Sequence, residues 1–173
     1  MKEESERHLR VLVGLDLCGS WRAGDLRVFH FGVLRPWQDG FVGDWAVHVQ
    51  CAWRLEKEGG PLLTGAADLY EPLSDDVDWN HWDYEVDGNV QDSVMALLTP
   101  SFSDARAGTQ NLKPLRVDRV ECTTTGDAVF TFGHGIRLVI FPDGTKGEMW
   151  RLLRPGADDA HFVMTGSGIE SIE

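Results

Sequence analysis

The chain has 173 residues, 42% of them apolar and 25% charged, and carries a formal charge of -12 at pH 7. That length is ordinarily one domain and buries roughly 70% of the unfolded surface, so neither disulfides nor a structural metal are needed to complete a core. The composition excludes a disordered chain, and the acidic balance disfavours direct binding to DNA or RNA.

The opening MKEESERHLR is charged throughout, and residues 1–9 read as a polar lead of one or two helical turns. The following VLVGLDL is too short and too interrupted for a signal sequence or a membrane span, so a cytoplasmic protein with no membrane association is expected. Residues 10–17 read as a strand. Residues 25–33, DLRVFHFGV, read as a second, with Leu26, Val28 and His30 on one face and Phe29, Phe31 and Val33 on the other. Apolar residues on both faces predict a central position in a sheet.

Residues 44–57 alternate most cleanly. Trp45, Val47, Val49, Cys51, Trp53 and Leu55 share one parity, and Ala46, His48, Gln50, Ala52, Arg54 and Glu56 share the other. A period of two over this length predicts an antiparallel strand with one dry and one wetter face. After the turn-forming Gly59-Gly60, residues 61–70 read as its hairpin partner.

In residues 89–99 the period changes: Val90, Val94, Leu97 and Leu98 recur at helical spacing, with Asn89 as N-cap and Asp92 in the first turn. This amphipathic helix ends at Pro100, and 101–114 has the composition of a loop. Strand-like runs return at 115–124, 127–132, 136–141 and 147–153, separated by turns at Thr125-Gly126, Gly133-His134-Gly135 and Pro142-Asp143-Gly144. A last strand, 161–165, precedes a Gly-Ser-Gly turn. The sum predicts a single domain over 1–173, α+β in class: a strand-rich antiparallel sheet, sandwich-like or strongly curved, with one main helix near 89–99.

Candidate chemistries thin out on inspection. His48 and Cys51 stand three apart, so a regular strand points them to opposite faces and they form no dyad. Cys18, Cys51 and Cys122 are odd in number and widely spaced, which fits buried reduced thiols better than a redox or metal pair. No H-E-x-x-H, EF-hand, P-loop or nucleophile-elbow pattern is present. No catalytic residue, metal ligand or cofactor is therefore assigned.

Charge distribution is the more informative signal. From Glu58 to Ala105 there is no Lys or Arg, while eleven acids fall in that window; outside it, 17 acids face all 16 basic residues. Within the window Tyr70, Trp79, Trp82 and Tyr84 lie among the acids. Aromatic anchors ringed by carboxylates suit a Lys- and Arg-rich protein surface, the rings giving contact area and cation-π partners and the acids giving steering. The first expectation is thus a non-enzymatic protein that masks a basic partner through Asp75, Asp76, Asp78, Trp79, Trp82, Asp83, Tyr84 and Glu85. Compact acidic domains of this kind resemble the immunity proteins that neutralise nuclease toxins. An alternative is a small-molecule or enzymatic pocket lined by His30, His48, Gln50 and Arg54 on the wetter strand face, and a third is a homo-oligomer interface.

HVQCAWRL, TGAADLYEP, WDYEVDGN, FPDGTKGEMWRLLRPG and HFVMTG together resemble a family of short bacterial proteins with no assigned activity. The likeness runs from about Gly14 to Gly166. It implies a bacterial, cytoplasmic, single-domain protein and transfers no catalytic residue.

Overall fold

The computed structural model describes residues 1–99 and 114–172, so the loop expected over 101–114 falls outside the described residues apart from Pro114. The polar lead is a full helix, α1 (Lys2–Leu9), with Glu3 and Glu4 in its first turn and Arg7 and His8 in its last, the charge order that the helix dipole favours. It continues as a 3-10 turn over Arg10–Leu12. The strand expected over 10–17 is thereby corrected. Leu9 and Leu12 are fully buried while Val11 and Val13 stay exposed, a helical spacing of burial, and Gly14 turns the chain with φ +87°.

Extended chain begins only at β1 (Asp16–Ala23), which turns back into β2 (Leu26–Phe31). A short hairpin of β3 (Arg35–Trp37) and β4 (Gly40–Val42) follows, which the alternation did not reveal because each strand is three residues long. Next come β5 (Trp45–Val49), β6 (Ala52–Lys57) and β7 (Leu62–Gly65), a 3-10 turn over Ala66–Tyr70, and α2 (Val90–Leu98). The C-terminal part adds β8 (Leu115–Cys122), β9 (Ala128–Phe132), β10 (Ile136–Phe141), β11 (Glu148–Leu153), β12 (His161–Thr165) and β13 (Gly168–Ile172).

Eleven of these strands form one antiparallel sheet in the order β13-β12-β11-β5-β2-β1-β8-β9-β10-β6-β7. Because β5 and β6 are two halves of one run, the path from β5 through β2, β1, β8, β9 and β10 to β6 ends on the strand where it began. The α+β class with a large antiparallel sheet is as expected. The 45–57 run keeps Val47, Val49, Cys51, Trp53 and Leu55 in the core throughout, yet it changes neighbours at Gln50 and Cys51, from β2 and β11 to β10 and β7. Such a bend lets one strand serve both halves of a curled sheet. β2 lies between β1 and β5 and is buried on both faces, as its two apolar faces predict.

Helix α2 is where expected, and the Asn89 side chain accepts the Asp92 N–H at its N-cap. Its rotation differs from the expectation. Gln91 and Met95 are buried, whereas Leu97 is 72% exposed. The apolar periodicity pointed to Val90, Val94, Leu97 and Leu98; Leu98 packs against the core and Val90 and Val94 are half-buried, but a buried polar network involving Gln91 turns Leu97 outward.

Candidate functional site

Residues 71–90 form a loop whose ends are tied together, the Val90 N–H donating to the Glu71 carbonyl at 2.9 Å. Three features build it. Asp78 accepts from the Asn80 N–H (3.0 Å) and pairs with the His81 ring (2.7 Å), while the His81 and Trp82 N–H groups donate to its carbonyl. Asp83 accepts from the Glu85 N–H, and Asp87 in turn accepts from the Asp83 N–H, both at 2.8 Å. Ring pairs add to this: Tyr70, just before the loop, meets Tyr84 edge-on at 5.3 Å, and Trp79 meets its near neighbour Trp82 at 5.7 Å. Asp residues that capture nearby backbone N–H groups stabilise turns without regular secondary structure.

This geometry divides the eight sequence-picked residues. Asp78 and Asp83 spend carboxylate oxygens inside the loop, and hydrogen bonds from His81 and Asn80 hold the Asp78 carboxyl below its ordinary pKa. Asp75, Asp76 and Glu85 are exposed, and of these three only Glu85 is near a cation among the described residues, 3.7 Å from Arg22. Trp79 is 63% exposed, and Trp82 and Tyr84 are half-buried. The surface also gains apolar area from Leu73 and from Val86, which is 80% exposed.

The loop is fastened by a polar clamp that sequence reasoning missed. Arg22 on β1 and Arg27 on β2 stand directly opposite each other, a repulsive pairing. Asp92 resolves it by taking Arg22 Nε on one oxygen (2.8 Å) and Arg27 Nη1 on the other (2.6 Å). Arg27 is only 2% exposed and also donates to Ser20 Oγ (2.8 Å) and Gln91 Oε1 (3.1 Å). Gln91 passes the connection on, donating to the Gly65 and Ala66 carbonyls. Burial alone would raise the Asp92 carboxyl, but hydrogen bonds from Arg22, Asn89 and Arg27 outweigh it and hold the pKa below the usual value. Asn89 and Arg22 both donate to the Tyr84 carbonyl, and the Arg22 guanidinium lies 5.3 Å from the Tyr84 ring centre. One signal of this clamp was present in the sequence: Arg27 has the parity of Phe29 and Phe31, so a charge on that face required a partner.

The alternative set is only partly assembled. His30 on β2 and His48 on β5 lie on the face opposite Phe29 and Val47, and Gln50 directly follows β5. His30 is buried, and its Nδ1 accepts the Gly43 N–H at 3.1 Å; burial and the nearby His48 push its pKa down to about 4, so it is neutral at pH 7. Burial likewise lowers His48, aided by Arg151, while Glu148 opposes. Gln50 donates to Glu148 Oε1. Glu148 also holds Arg151, whose Nη1 donates to His161 Nδ1 at 3.1 Å. Arg54 lies beyond the bend on β6, paired with Glu56 Oε2 (2.8 Å) and set over Phe141, and does not join the histidines. Among the described residues no group of three His, Cys, Asp or Glu is placed to hold a metal. The three cysteines are unpaired, and burial pushes each thiol up to about 12, which disfavours the nucleophilic thiolate.

Comparison with protein-family models, with curated proteins and with solved structures finds no match to this chain. No helix among the described residues is long and apolar enough to cross a membrane.

Proposed function

We propose that this is a non-enzymatic binding protein of the cytoplasm that presents its 71–90 loop to a basic protein partner, as an immunity protein masks a nuclease toxin. One observation carries the reading. Of the eleven large hydrophobic side chains exposed among the described residues, six (Leu62, Tyr70, Leu73, Trp79, Val86 and Leu97) fall in the window that has no Lys or Arg, and three of these, Leu73, Trp79 and Val86, lie in the 71–90 loop itself. Exposed apolar area concentrated in one segment marks an interaction surface, and rigid aromatic side chains are preferred anchors. The surrounding carboxylates would steer a cationic partner and exclude an anionic one. A loop already folded on itself and clamped at its base loses less conformational freedom on binding.

Affinity recovery from the native cytoplasm at low and at high salt tests this, using the wild-type protein beside Trp79→Ala and the Asp75→Asn/Asp76→Asn pair. A basic protein retained at low salt, released by high salt and lost with the variants is the expected result. Recovery that is indifferent to salt and survives both variants would sink the proposal, as would recovery of no partner at all.

A further inference from the structure

A concavity lies outside the 71–90 loop, lined by residues of α1, β5, β11 and β12. Its first part is a cavity of about 210 Å³ walled by Trp45, Leu152, Phe162 and His8, with Arg7 and Arg154 at its rim. A second part, of about 280 Å³, shares Trp45 and Arg154 and is completed by Arg35, Asp44 and the turn at Gly156. Each aromatic wall carries a planar cation or an imidazole. The Arg154 guanidinium lies 5.9 Å from the Trp45 ring centre, Arg35 lies 5.7 Å from that of Trp37, and His8 stacks on Phe162 at 4.3 Å and 18°. Trp37 in turn lies on Gly156, where a Cβ would come within 2.4 Å of the ring, so the turn is shaped around it. In a chain of charge -12, three arginines and a histidine gather here against Asp44, Asp159 and Glu4, the last 3.8 Å from Arg7.

We propose that this concavity binds a planar aromatic anion, its ring against Trp45 and beside the His8 imidazole that covers Phe162, and its negative group on Arg154 and Arg7. The size fits: a dry cavity of about 150 Å³ holds benzene, and 210 Å³ holds a ring with a substituent or a small fused system. Arg154 is paired with Asp159 at 2.6 Å, but both side chains are half-exposed, so exchange of the carboxylate for a ligand anion has little cost. Ring stacking on tryptophan and a charge-assisted contact to a guanidinium together give orientation as well as affinity. The negative group is a carboxylate or a phosphate, and both sources are probed below.

Saturation-transfer NMR with 1-naphthoate, with adenosine monophosphate and with the neutral 1-naphthamide tests the site in the whole chain. At least one anion is expected to bind at millimolar concentration, and the amide about tenfold more weakly. Arg154→Gln, which alters an exposed side chain and should leave the thermal unfolding midpoint unchanged, is expected to lower anion affinity about tenfold, and Arg7→Gln by less. Naphthoate binding alone assigns a carboxylate ligand, and nucleotide binding alone assigns a phosphate ligand. The inference is overturned if neither anion binds, if the amide binds as well as naphthoate, or if Arg154→Gln changes nothing. Trp79→Ala should leave this binding intact, which keeps the outcome separate from the fate of the 71–90 loop.

Discussion

Asp92 and Asp75 carry the same carboxylate, and the molecule uses them in opposite ways. Asp92 sits between two arginines at the base of α2, where one of the guanidiniums is buried and must be neutralised. Asp75 stands in solvent with no cation beside it among the described residues. The interior thus treats ionisable groups as structural parts with fixed partners, whereas the 71–90 loop leaves several of them unspent. Position relative to β1 and β2, not residue type, makes the difference.

The largest expected effects lie in the interior. His30 has a folded pKa of about 4, below the ordinary 6.5, so the unfolded chain takes up its proton first as pH falls. Its contribution is complete above pH 6.5, is lost progressively down to about 4, and amounts to about 3 kcal/mol over that window. Urea unfolding at a series of pH values should show this slope in the wild type and a flatter one in His30→Gln; equal slopes would show that His30 does not set the acid sensitivity.

Asp92→Ala should cost about 2 to 3 kcal/mol, the lower end for breaking a buried ion pair because Asp92 itself is 37% exposed. It leaves Arg27 buried and opposed to Arg22. Replacing Arg27 by Met in the same chain should recover much of that loss, a coupling that a double-mutant cycle reads directly. If Asp92→Ala unfolds at the wild-type denaturant midpoint, the clamp is not what holds the loop.

Exposed loop residues should behave in the reverse manner. Trp79→Ala should change stability by less than about 0.5 kcal/mol but weaken partner affinity by about 2 kcal/mol, mainly through faster dissociation. Smallest of all, the Asp75→Asn/Asp76→Asn pair should leave the unfolding midpoint unmoved while slowing association and flattening its salt dependence in stopped-flow measurements. A stability loss there as large as at Asp92 would erase the contrast between the two regions.

Much of the sheet was legible because period-two alternation is strong wherever one face is dry, as in the run from Trp45 to Leu55. Three kinds of feature were hidden. Short strands such as β3 and β4 have too few residues for a period to register. The helical course of the chain through Val11, where a strand was expected, depends on Leu9 and Leu12 packing into a core assembled by distant strands. The rotation of α2 depends on Gln91, whose burial is favourable only because Arg27 and two carbonyls meet it. Of the functional candidates, the acidic and aromatic surface could be picked from composition; the clamp could not, since its members come from three separate segments.

The strand shared by β5 and β6 also governs how the chain must assemble. Its first half finds β2 close by in sequence, but its second half pairs Lys57 with Ile136 and Trp53 with Ile140. On a ribosome, Trp53 and Leu55 wait with one hydrogen-bonding edge vacant until the chain through β10 has emerged. Such late, long-range pairing places refolding in the millisecond-to-second range expected of non-local β topologies. It also leaves the waiting edge open to pairing with another copy.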